Sequence, residues 1–404
     1  MASVIETASG ASARAPSRRV LALLVGVTVI KILVAARFTG TIEVQQMLKQ
    51  AQVFLAGQDF LDPGTMNGNP SFFPLGHYGL VAACLMIAEA TGVPFAFLIK
   101  LPAILADLMI ALLLHRLPRG GERAALFYVL NPVSFLLSAY HAQPHSVAVL
   151  GSVLACWLAD QGRYVSSGLA LGLAASIRQH FGILIVPLAI RAGARRKATL
   201  VSFVGVVVLL NVWLLASAHP HRVLAPTWTY GSWGYTMVLL QGPRVLSLLG
   251  VPELPWATSA LSAVNTALEL YGFRMYWLWA AVFLAWVIAR SRKGTLDLWR
   301  ATLVFLVGIY AISPGFGIQW LVWAVPFWLL VDRRDAISYS VLAGAFVAGS
   351  YWQWGLNLAY GVRSITANLA LLRPVDLAGV MLVGLLGVLT WAFCVRATWR
   401  LARS

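Results

Sequence analysis

Charged side chains are scarce in this sequence: Asp, Glu, Lys and Arg together make up 11% of its 404 residues. A soluble domain carries about 25% charged residues, so the scarcity excludes a soluble globular protein of this length. Hydrophobic residues instead reach 60%, and the mean hydropathy is +0.79. The 16 Trp and 12 Tyr fit the aromatic belts that form at the two surfaces of a membrane. We therefore expect an all-α polytopic membrane protein.

Cysteines are few and nucleotide-binding motifs are missing. The chain has three cysteines, Cys84, Cys156 and Cys394, and their wide spacing excludes a disulfide framework and a cysteine-based metal site. Neither a Gly-x-Gly-x-x-Gly fingerprint nor a P-loop is present, and these are the usual glycine-rich cradles for nucleotide phosphates. We expect no cofactor, no required metal and no nucleic-acid partner.

The apolar runs and the basic residues together predict a membrane topology. Basic clusters flank many of the runs, and the positive-inside rule assigns these clusters to the cytoplasm. All of them can lie there only if the run 77–91 does not cross the membrane, which leaves twelve transmembrane helices and places both termini inside. We expect 77–91 to be a re-entrant or interfacial helix on the outer side. The thirteen runs lie at about 20–36, 77–91, 98–115, 122–139, 146–160, 164–177, 180–190, 198–217, 273–289, 298–312, 318–331, 336–352 and 376–395.

This topology divides the chain into one membrane domain, at 20–397, and two cytoplasmic ends. We expect residues 1–19 to form a disordered N-terminus and residues 398–404 to form a short tail. The inner loops are short, so the polar sequence collects on the outer face, where we expect the function to lie. The outer loops are predicted at about 37–97, 218–272 and 353–375.

The segment 41–57 is unusual because it is a polar helix in an otherwise apolar chain. Its apolar residues recur at i, i+3, i+4 and i+7, which predicts an amphipathic helix lying flat on the outer surface. Glu43, Gln46 and Gln50 are expected on the face opposite the apolar one. Glu43 has two interpretations: a carboxylate that stabilises the first helical turn, or a general base for a substrate hydroxyl docked above it.

Several short motifs, in order along nearly the whole chain, resemble the GT-C class of integral membrane glycosyltransferases, which use polyprenyl-phosphate sugars. The SPGFGIQW segment is the most specific to bacterial members, and no single motif would suffice. The motifs are GQDF at 57–60, FPLGHY at 73–78, KLPAILADL at 100–108, NPVS at 131–134, SAYHAQ at 138–143, GLALGLAASIRQ at 168–179 and SPGFGIQW at 313–320.

The resemblance implies a GT-C-like fold with amphipathic or re-entrant helices in the first outer loop. It also implies hexosyl transfer, with inversion, from a polyprenyl-phosphate sugar to a lipid-linked glycan, glycolipid or other cell-envelope acceptor, with mannose as a first guess. The expected location is the bacterial plasma membrane, with the active site on its outer face. Two departures stand out: Glu43 occupies the position where relatives keep a catalytic Asp, and His145 replaces a second acidic residue.

The same resemblance, combined with the predicted topology, names candidate site residues. Glu43 would be the catalytic base. Arg is suited to binding phosphate, although an interfacial Arg can equally extend to lipid headgroups. His141 and His145 have the i, i+4 spacing of metal ligands, but Pro144 separates them and sugar binding fits better. The candidates for the donor phosphate are Arg178, Lys100, His180 and Arg244, and those for sugar or acceptor are Tyr140, His141, Gln143, His145, Gln319, Asp59 and Asp62.

Three further residues and two alternative functions complete the sequence-based interpretation. Asp107 is the one carboxylate deep in an apolar run, where we favour a structural hydrogen-bonding role. Gly168 and Gly172 form a small-x-x-x-small pair, which favours close helix packing. A polytopic transporter or lipid flippase is one alternative function, although the halves show no internal symmetry. A catalytically inactive relative that acts as an assembly partner is the other.

Overall fold

The described part of the protein is built from helices. The computed structural model describes residues 16–62, 64–66, 73–219, 266, 275–313, 315–362 and 368–403. Every regular element in these ranges is an α, 3-10 or π helix, which confirms the all-α prediction. The predicted outer loop 218–272 lies almost wholly outside the described residues, as does the candidate phosphate ligand Arg244 within it.

Sixteen α-helices are described. The first eleven are α1 (Arg18–Arg37), α2 (Ile42–Leu55), α3 (Leu75–Thr91), α4 (Phe95–Leu98), α5 (Leu101–Arg116), α6 (Glu122–Val129), α7 (Pro132–Leu136), α8 (His145–Asp160), α9 (Tyr164–Ile177), α10 (Ile185–Ala192) and α11 (Arg196–Asn211). The later ones are α12 (Tyr276–Arg292), α13 (Leu298–Ile312), α14 (Val325–Val331), α15 (Arg333–Ala359) and α16 (Pro374–Arg403).

Several of these helices are long and apolar enough to cross a membrane. Among the described residues there are four such stretches, and a fifth if the bent pair α6–α7 counts as one span. Helix α3 has 17 residues and belongs to a shorter apolar group. These helices are compatible with a membrane protein. The number of twelve spans stays a prediction. The four stretches are Arg18–Arg37, Phe95–Arg116, Gln179–Leu214 and Pro374–Arg403.

The predicted apolar run 122–139 is broken in the structure. Helices α6 and α7 meet at an angle of 44°. Pro132 starts α7, and proline has no N–H to continue a helix from the preceding turn. The side chain of Asn131 accepts hydrogen bonds from the backbone N–H groups of Val133, at 2.9 Å, and Ser134, at 3.3 Å. The Asn-Pro pair thus ends one helix and caps the next.

Three helices extend into the predicted terminal segments or the predicted third outer loop. Helix α1 begins at Arg18, within the segment predicted to be disordered, because the Ser17 side chain accepts a hydrogen bond from the backbone N–H of Val20. Helix α15 continues to Ala359, into the predicted third outer loop. Helix α16 continues to Arg403, into the predicted C-terminal tail, where Arg400 pairs with acidic residues at the start of α15.

Close approach of glycines packs α9 against α11. A Cβ atom added at Gly168 would lie 2.1 Å from the Ser202 hydroxyl oxygen, and one at Gly172 would lie 2.8 Å from Cβ of Val206. Larger residues at either position would push the two helices apart. The predicted packing role of the small-x-x-x-small pair is therefore confirmed.

A buried ion pair joins α1 to α5. The Lys31 ammonium lies 2.6 Å from a carboxylate oxygen of Asp107, and both side chains are 1% exposed. The Tyr128 hydroxyl, from α6, donates to the other carboxylate oxygen at 2.9 Å. The structural role favoured for Asp107 is confirmed in geometry, and the partner that the sequence did not reveal is Lys31. These polar contacts join helices α1, α5 and α6.

Candidate active site

Helix α2 carries Glu43 in its first turn, as predicted from the periodicity of the segment 41–57. The chain reaches α2 through Gly40, whose φ of +97° is unfavourable for other residues. A Cβ atom at Gly40 would lie 2.8 Å from the backbone oxygen of Tyr140. This close approach places the start of α2 against the backbone of Tyr140, in the turn that follows α7. The Glu43 side chain is 18% exposed, so it faces protein more than solvent.

A helix break supplies the two side chains that bind Glu43. Residues Leu137–His141 form a π turn, and Ala142 then adopts a left-handed backbone with a φ of 74°. The turn places His141 and Gln143 on the same carboxylate. The His141 Nε2 atom lies 3.1 Å from a Glu43 oxygen, and the Gln143 amide donates a hydrogen bond to the same oxygen. Breaks of this kind are frequent at functional sites.

Arg178 reaches the site from the break after α9 and is 1% exposed. One of its terminal nitrogens donates to the side-chain oxygen of Gln143, and the other lies 3.4 Å from Nδ1 of His77. Its guanidinium carbon stands 4.0 Å above the centre of the Phe73 ring. Nε2 of His77 in turn lies 3.0 Å from the side-chain oxygen of Gln50. The structure therefore joins a carboxylate to a buried cation through one amide.

Opposing influences act on the ionisation of Glu43, which lies outside the candidate membrane-spanning helices. Burial alone would raise the pKa of its carboxyl group. His141, through its charge and its hydrogen bond, the Gln143 hydrogen bond and the Arg178 charge together outweigh burial, so the pKa lies below its usual value. Glu43 is consequently a carboxylate at neutral pH and can accept a hydrogen bond from a hydroxyl group.

The prediction for the polar face of α2 is wrong at Gln50. Gln46 is exposed as expected, but Gln50 is 6% exposed and bonds His77 of α3. The reason is that α2 packs against α3, so the buried stripe of α2 is wider than its apolar residues suggest. An amide at the edge of such a stripe can be buried when another helix supplies its hydrogen-bond partner.

Lys100, a predicted phosphate ligand, is already engaged elsewhere in the structure. Its side chain is buried, and its ammonium donates to the backbone oxygens of Ala35, at 3.2 Å, and Phe38. These carbonyl groups lie at the C-terminal end of α1, where helix carbonyls lack partners within the helix. Lys100 thus ties α1 to the start of α5. Its proposed contact with a donor phosphate stays a prediction.

His145 and His180 both contact Trp323. The Trp323 indole N–H donates to Nδ1 of His145 at 2.8 Å, and the His180 ring lies 5.3 Å from the Trp323 ring. Gln319, also buried, folds over Gly317, where an added Cβ atom would lie 2.7 Å from the Gln319 side-chain oxygen. His145 and His180 therefore share Trp323 as a neighbour, and each lies two residues after a member of the Glu43 cluster, Gln143 and Arg178 respectively.

Tyr140 belongs to a separate aromatic group beside His141. Its ring lies 5.9 Å from Phe38 and 5.1 Å from Tyr351. The His141 ring lies 5.5 Å from Tyr351 and 5.9 Å from Trp354. Helix α15 thus supplies aromatic walls to the site, a contribution that the sequence-based prediction did not include. Tyr351 and Trp354 lie in none of the recognised motifs, so only their place in the fold identifies them.

Asp59 and Asp62, predicted to bind sugar or acceptor, organise the loop after α2. Asp59 accepts hydrogen bonds from the Leu61 backbone at 2.9 Å and the Ser217 hydroxyl at 2.8 Å. Burial would raise the pKa of Asp59, but these hydrogen bonds lower it overall. Asp62 accepts from the backbone N–H groups of Gly64 and Thr65. Both carboxylates have local partners, and their ligand-binding roles stay predictions.

His77 is the main member of the cluster that sequence reasoning did not select. It stands within the FPLGHY motif at 73–78, so the motif was available as a signal, but its role depends on Arg178, which lies about a hundred residues later. No protein-family model matches the chain, and no curated protein matches its sequence.

Proposed function

We propose that this chain is an integral membrane glycosyltransferase. It moves a monosaccharide, with mannose as the first candidate, from a polyprenyl-phosphate donor to a lipid-linked glycan or other cell-envelope acceptor. The reaction takes place on the outer face of a bacterial plasma membrane and inverts the configuration at the anomeric carbon. Apolar helices of membrane-spanning length support a lipid-linked substrate. The motif resemblance supports the donor class.

The observation that carries the proposal is the pairing of Glu43 with Arg178 through Gln143. An inverting transfer needs a base for the acceptor hydroxyl and positive charge for the departing phosphate. Glu43 is ionised at neutral pH and partly exposed, and Arg178 is a buried cation a single amide away. The two charges that this chemistry requires are thus held in one connected group.

The reaction follows from these two charges. The acceptor hydroxyl gives its proton to the Glu43 carboxylate while the acceptor oxygen forms a bond to the anomeric carbon. The bond between that carbon and the phosphate oxygen breaks, and its electron pair stays on the phosphate. Arg178 stabilises the additional negative charge, which develops only as the bond breaks. The protonated Glu43 then returns its proton to water.

His141 and Gln143 hold the base in place. A carboxylate only accepts hydrogen bonds, so Nε2 of His141 carries the proton directed at Glu43. Nδ1 of His141 lies 3.4 Å from the Thr41 hydroxyl, which precedes α2. Each ring nitrogen therefore has a polar neighbour, and the imidazole orients Glu43.

The experiment that tests the proposal replaces Glu43 and measures sugar transfer from polyprenyl-phosphate donors. Glu43→Gln keeps the shape of the side chain but removes the base, so we expect the rate to fall about 10²- to 10⁴-fold. Glu43→Asp should retain partial activity, since the carboxylate remains but its reach is shorter. The matched control is Glu89→Gln, which removes an exposed carboxylate from α3. Near wild-type transfer by a folded Glu43→Gln protein would rule out Glu43 as the base.

The sugar is identified by a donor panel. Wild-type protein is incubated with polyprenyl phosphates that carry different monosaccharides, and transfer to endogenous lipid-linked acceptors is measured. The proposal expects one donor to be used far better than the others. Absence of transfer from every donor would contradict the proposed activity.

A further inference from the structure

A chain of hydrogen bonds leaves helix α2 and returns to it. Starting at Gln50, it passes to His77 on α3, then to Arg178 after α9, then to Gln143, and ends at Glu43 in the first turn of the same helix. This hydrogen-bond relay connects four separate parts of the sequence: α2, His77, Gln143 and Arg178. Because both ends lie on one helix, the position of α2 and the orientation of Arg178 depend on each other.

In this relay from Gln50 to Glu43, the chemistry of the groups determines which partner donates and which accepts each hydrogen bond. A guanidinium only donates hydrogen bonds, so Nδ1 of His77 and the Gln143 oxygen must both accept from Arg178. Nε2 of His77 then carries the ring proton and donates it to the Gln50 oxygen, 3.0 Å away. His77 is therefore a neutral imidazole in one tautomer. A proton on Nδ1 would face the N–H groups of Arg178 and break the relay.

We propose that His77, with Gln50 behind it, is a positioning residue for Arg178. It holds the guanidinium in the orientation that faces Gln143 and, through Gln143, the carboxylate of Glu43. The catalytic consequence rests on the proposed glycosyl transfer, whereas the hydrogen-bonding role does not depend on it.

Arg178 needs such an anchor because its side chain is long and flexible. Ordering an arginine side chain costs rotamer entropy, because several single bonds lose their freedom to rotate. The contact with the Phe73 ring restricts the height of the guanidinium but not its rotation in the plane of the ring. The His77 contact supplies the missing restraint, since it fixes one terminal nitrogen while the other bonds Gln143. Such supporting hydrogen bonds commonly orient groups that act on a substrate.

The competing interpretation is that His77 only fills space in the core. The residue is fully buried, and its ring lies 4.4 Å from Phe73 and 5.4 Å from Tyr78. A space-filling ring would tolerate replacement by phenylalanine. A positioning residue would not, because phenylalanine keeps the ring contacts and loses both nitrogens.

The first test measures transfer by variants at position 77. We expect His77→Phe to lower kcat about 10- to 100-fold, because a displacement of about 1 Å can cost that much, with little change in the KM for the donor. His77→Asn should recover part of the loss, since its amide oxygen can accept from Arg178. In an Arg178→Ala background, His77→Phe should have no further effect, as expected for residues that act as a unit. His115→Phe, on the far end of α5, is the matched control.

The second test does not depend on activity. Ring-nitrogen NMR of ¹⁵N-histidine-labelled protein at neutral pH, with assignment by His77→Asn, reports which nitrogen of His77 is protonated. We expect the neutral Nε2–H form in the wild type and a changed tautomer balance in both Arg178→Ala and Gln50→Leu. Gln46→Leu, on the exposed face of α2, should leave the His77 signals unchanged.

The two tests separate the failure of this inference from the failure of the proposed function. If wild-type protein transfers no sugar, the glycosyltransferase proposal fails while the NMR measurement still decides the relay. Unchanged His77 signals in Arg178→Ala would overturn the relay. Wild-type kcat in His77→Phe, or an undiminished effect of that substitution in the Arg178→Ala background, would overturn the positioning role in an active enzyme.

Discussion

At the scale of single residues, Glu43 combines burial with a lowered pKa, although burial by itself raises the pKa of a carboxyl group. It is held by the protein on several sides, yet its pKa lies below the usual value because cationic and hydrogen-bonding neighbours outweigh burial. A low pKa makes the carboxylate a weak base in solution. Its usefulness to catalysis would therefore come from orientation and from being ionised at every physiological pH, not from high basicity.

This balance predicts how activity depends on pH. Lowered in the folded state, the Glu43 pKa keeps the carboxylate ionised until the pH drops below 4.5, so transfer should lose its Glu43-dependent activity only there. His141→Phe removes a hydrogen bond and a favourable charge, which raises the Glu43 pKa and shifts the loss of activity to higher pH. The measurement is kcat/KM against pH for both proteins, with His115→Phe as the control. Identical acidic limbs would contradict the role of His141.

The stability of the folded protein should depend on pH in the same direction as the activity. Because the folded-state pKa of Glu43 is lower than its unfolded value, its contribution to stability is present above pH 4.5 and is lost as the pH falls through the folded pKa. Glu43→Gln should therefore reduce the acid sensitivity of unfolding while it removes activity. The two effects can be separated in the same variant.

At the scale of elements, the site is made by interruptions of helices. His141 ends a π turn and Gln143 follows it, Arg178 follows the end of α9, and Glu43 lies in the first turn of α2. Side chains at helix ends can converge on one point from several directions, whereas side chains in a helix interior are directed to its neighbours. Breaks also leave backbone groups unpaired, so a membrane protein tolerates them where protein or a water-filled cavity surrounds the backbone.

The break after α7 contains backbone strain that a substitution can reveal. Ala142 has a φ of 74°, a conformation that costs an L-residue about 1–2 kcal/mol. Ala142→Gly should relieve most of this cost and, after the greater entropy of glycine in the unfolded chain, stabilise the protein by about 0.5 kcal/mol. Thermal unfolding in detergent measures the change. The control is Ala148→Gly, inside α8, which should destabilise by about 1 kcal/mol. A destabilised Ala142→Gly protein would contradict the strained geometry.

At the scale of the whole molecule, a buried ion pair holds the first helix in the bundle. Lys31 and Asp107 come from α1 and α5, and Tyr128 adds a hydrogen bond from α6. A charge removed from water is costly, so neither partner is tolerable without the other.

Removing one member of that pair should be far more damaging than removing both. Asp107→Asn leaves Lys31 buried without a counter-ion, so we expect a loss of about 3–5 kcal/mol in the free energy of unfolding. The double variant Lys31→Met, Asp107→Leu should recover most of the loss. Asp297→Asn breaks an exposed pair with Arg119 and should cost about 0–1 kcal/mol. Denaturant unfolding in detergent compares the variants, and equal costs at both pairs would contradict the argument.

The predicted topology can be tested with single cysteines, because the three native ones are all buried. A membrane-impermeant thiol reagent should label intact cells that carry Thr91→Cys, at the end of α3 on the predicted outer side. Thr295→Cys, between α12 and α13 on the predicted inner side, should react only after the membrane is opened. Both positions are exposed, so accessibility does not favour either. Labelling of Thr295→Cys in intact cells would overturn the predicted orientation.

Part of this protein is determined by its sequence alone. Composition predicts an all-α membrane-type chain, because an apolar environment forces backbone groups to pair within each segment. Periodicity predicts α2 within two residues at each end, and the Gly168–Gly172 spacing predicts close packing that the structure confirms. Motifs that are contiguous in sequence locate Glu43, His141, Gln143 and Arg178 as candidates. Each of these signals is local, so neighbouring residues suffice to read it.

What the tertiary structure decided is which candidates meet. The assembly of Glu43 with Gln143 and Arg178, the burial of Gln50 and the entry of His77 depend on contacts between residues 27 to 101 positions apart. The hydrophobic pattern of a sequence indicates how strongly a helix face is buried but not which other helix covers that face. A buried amide and a buried imidazole look like surface residues in sequence, because the partner that makes their burial favourable is supplied only by the fold.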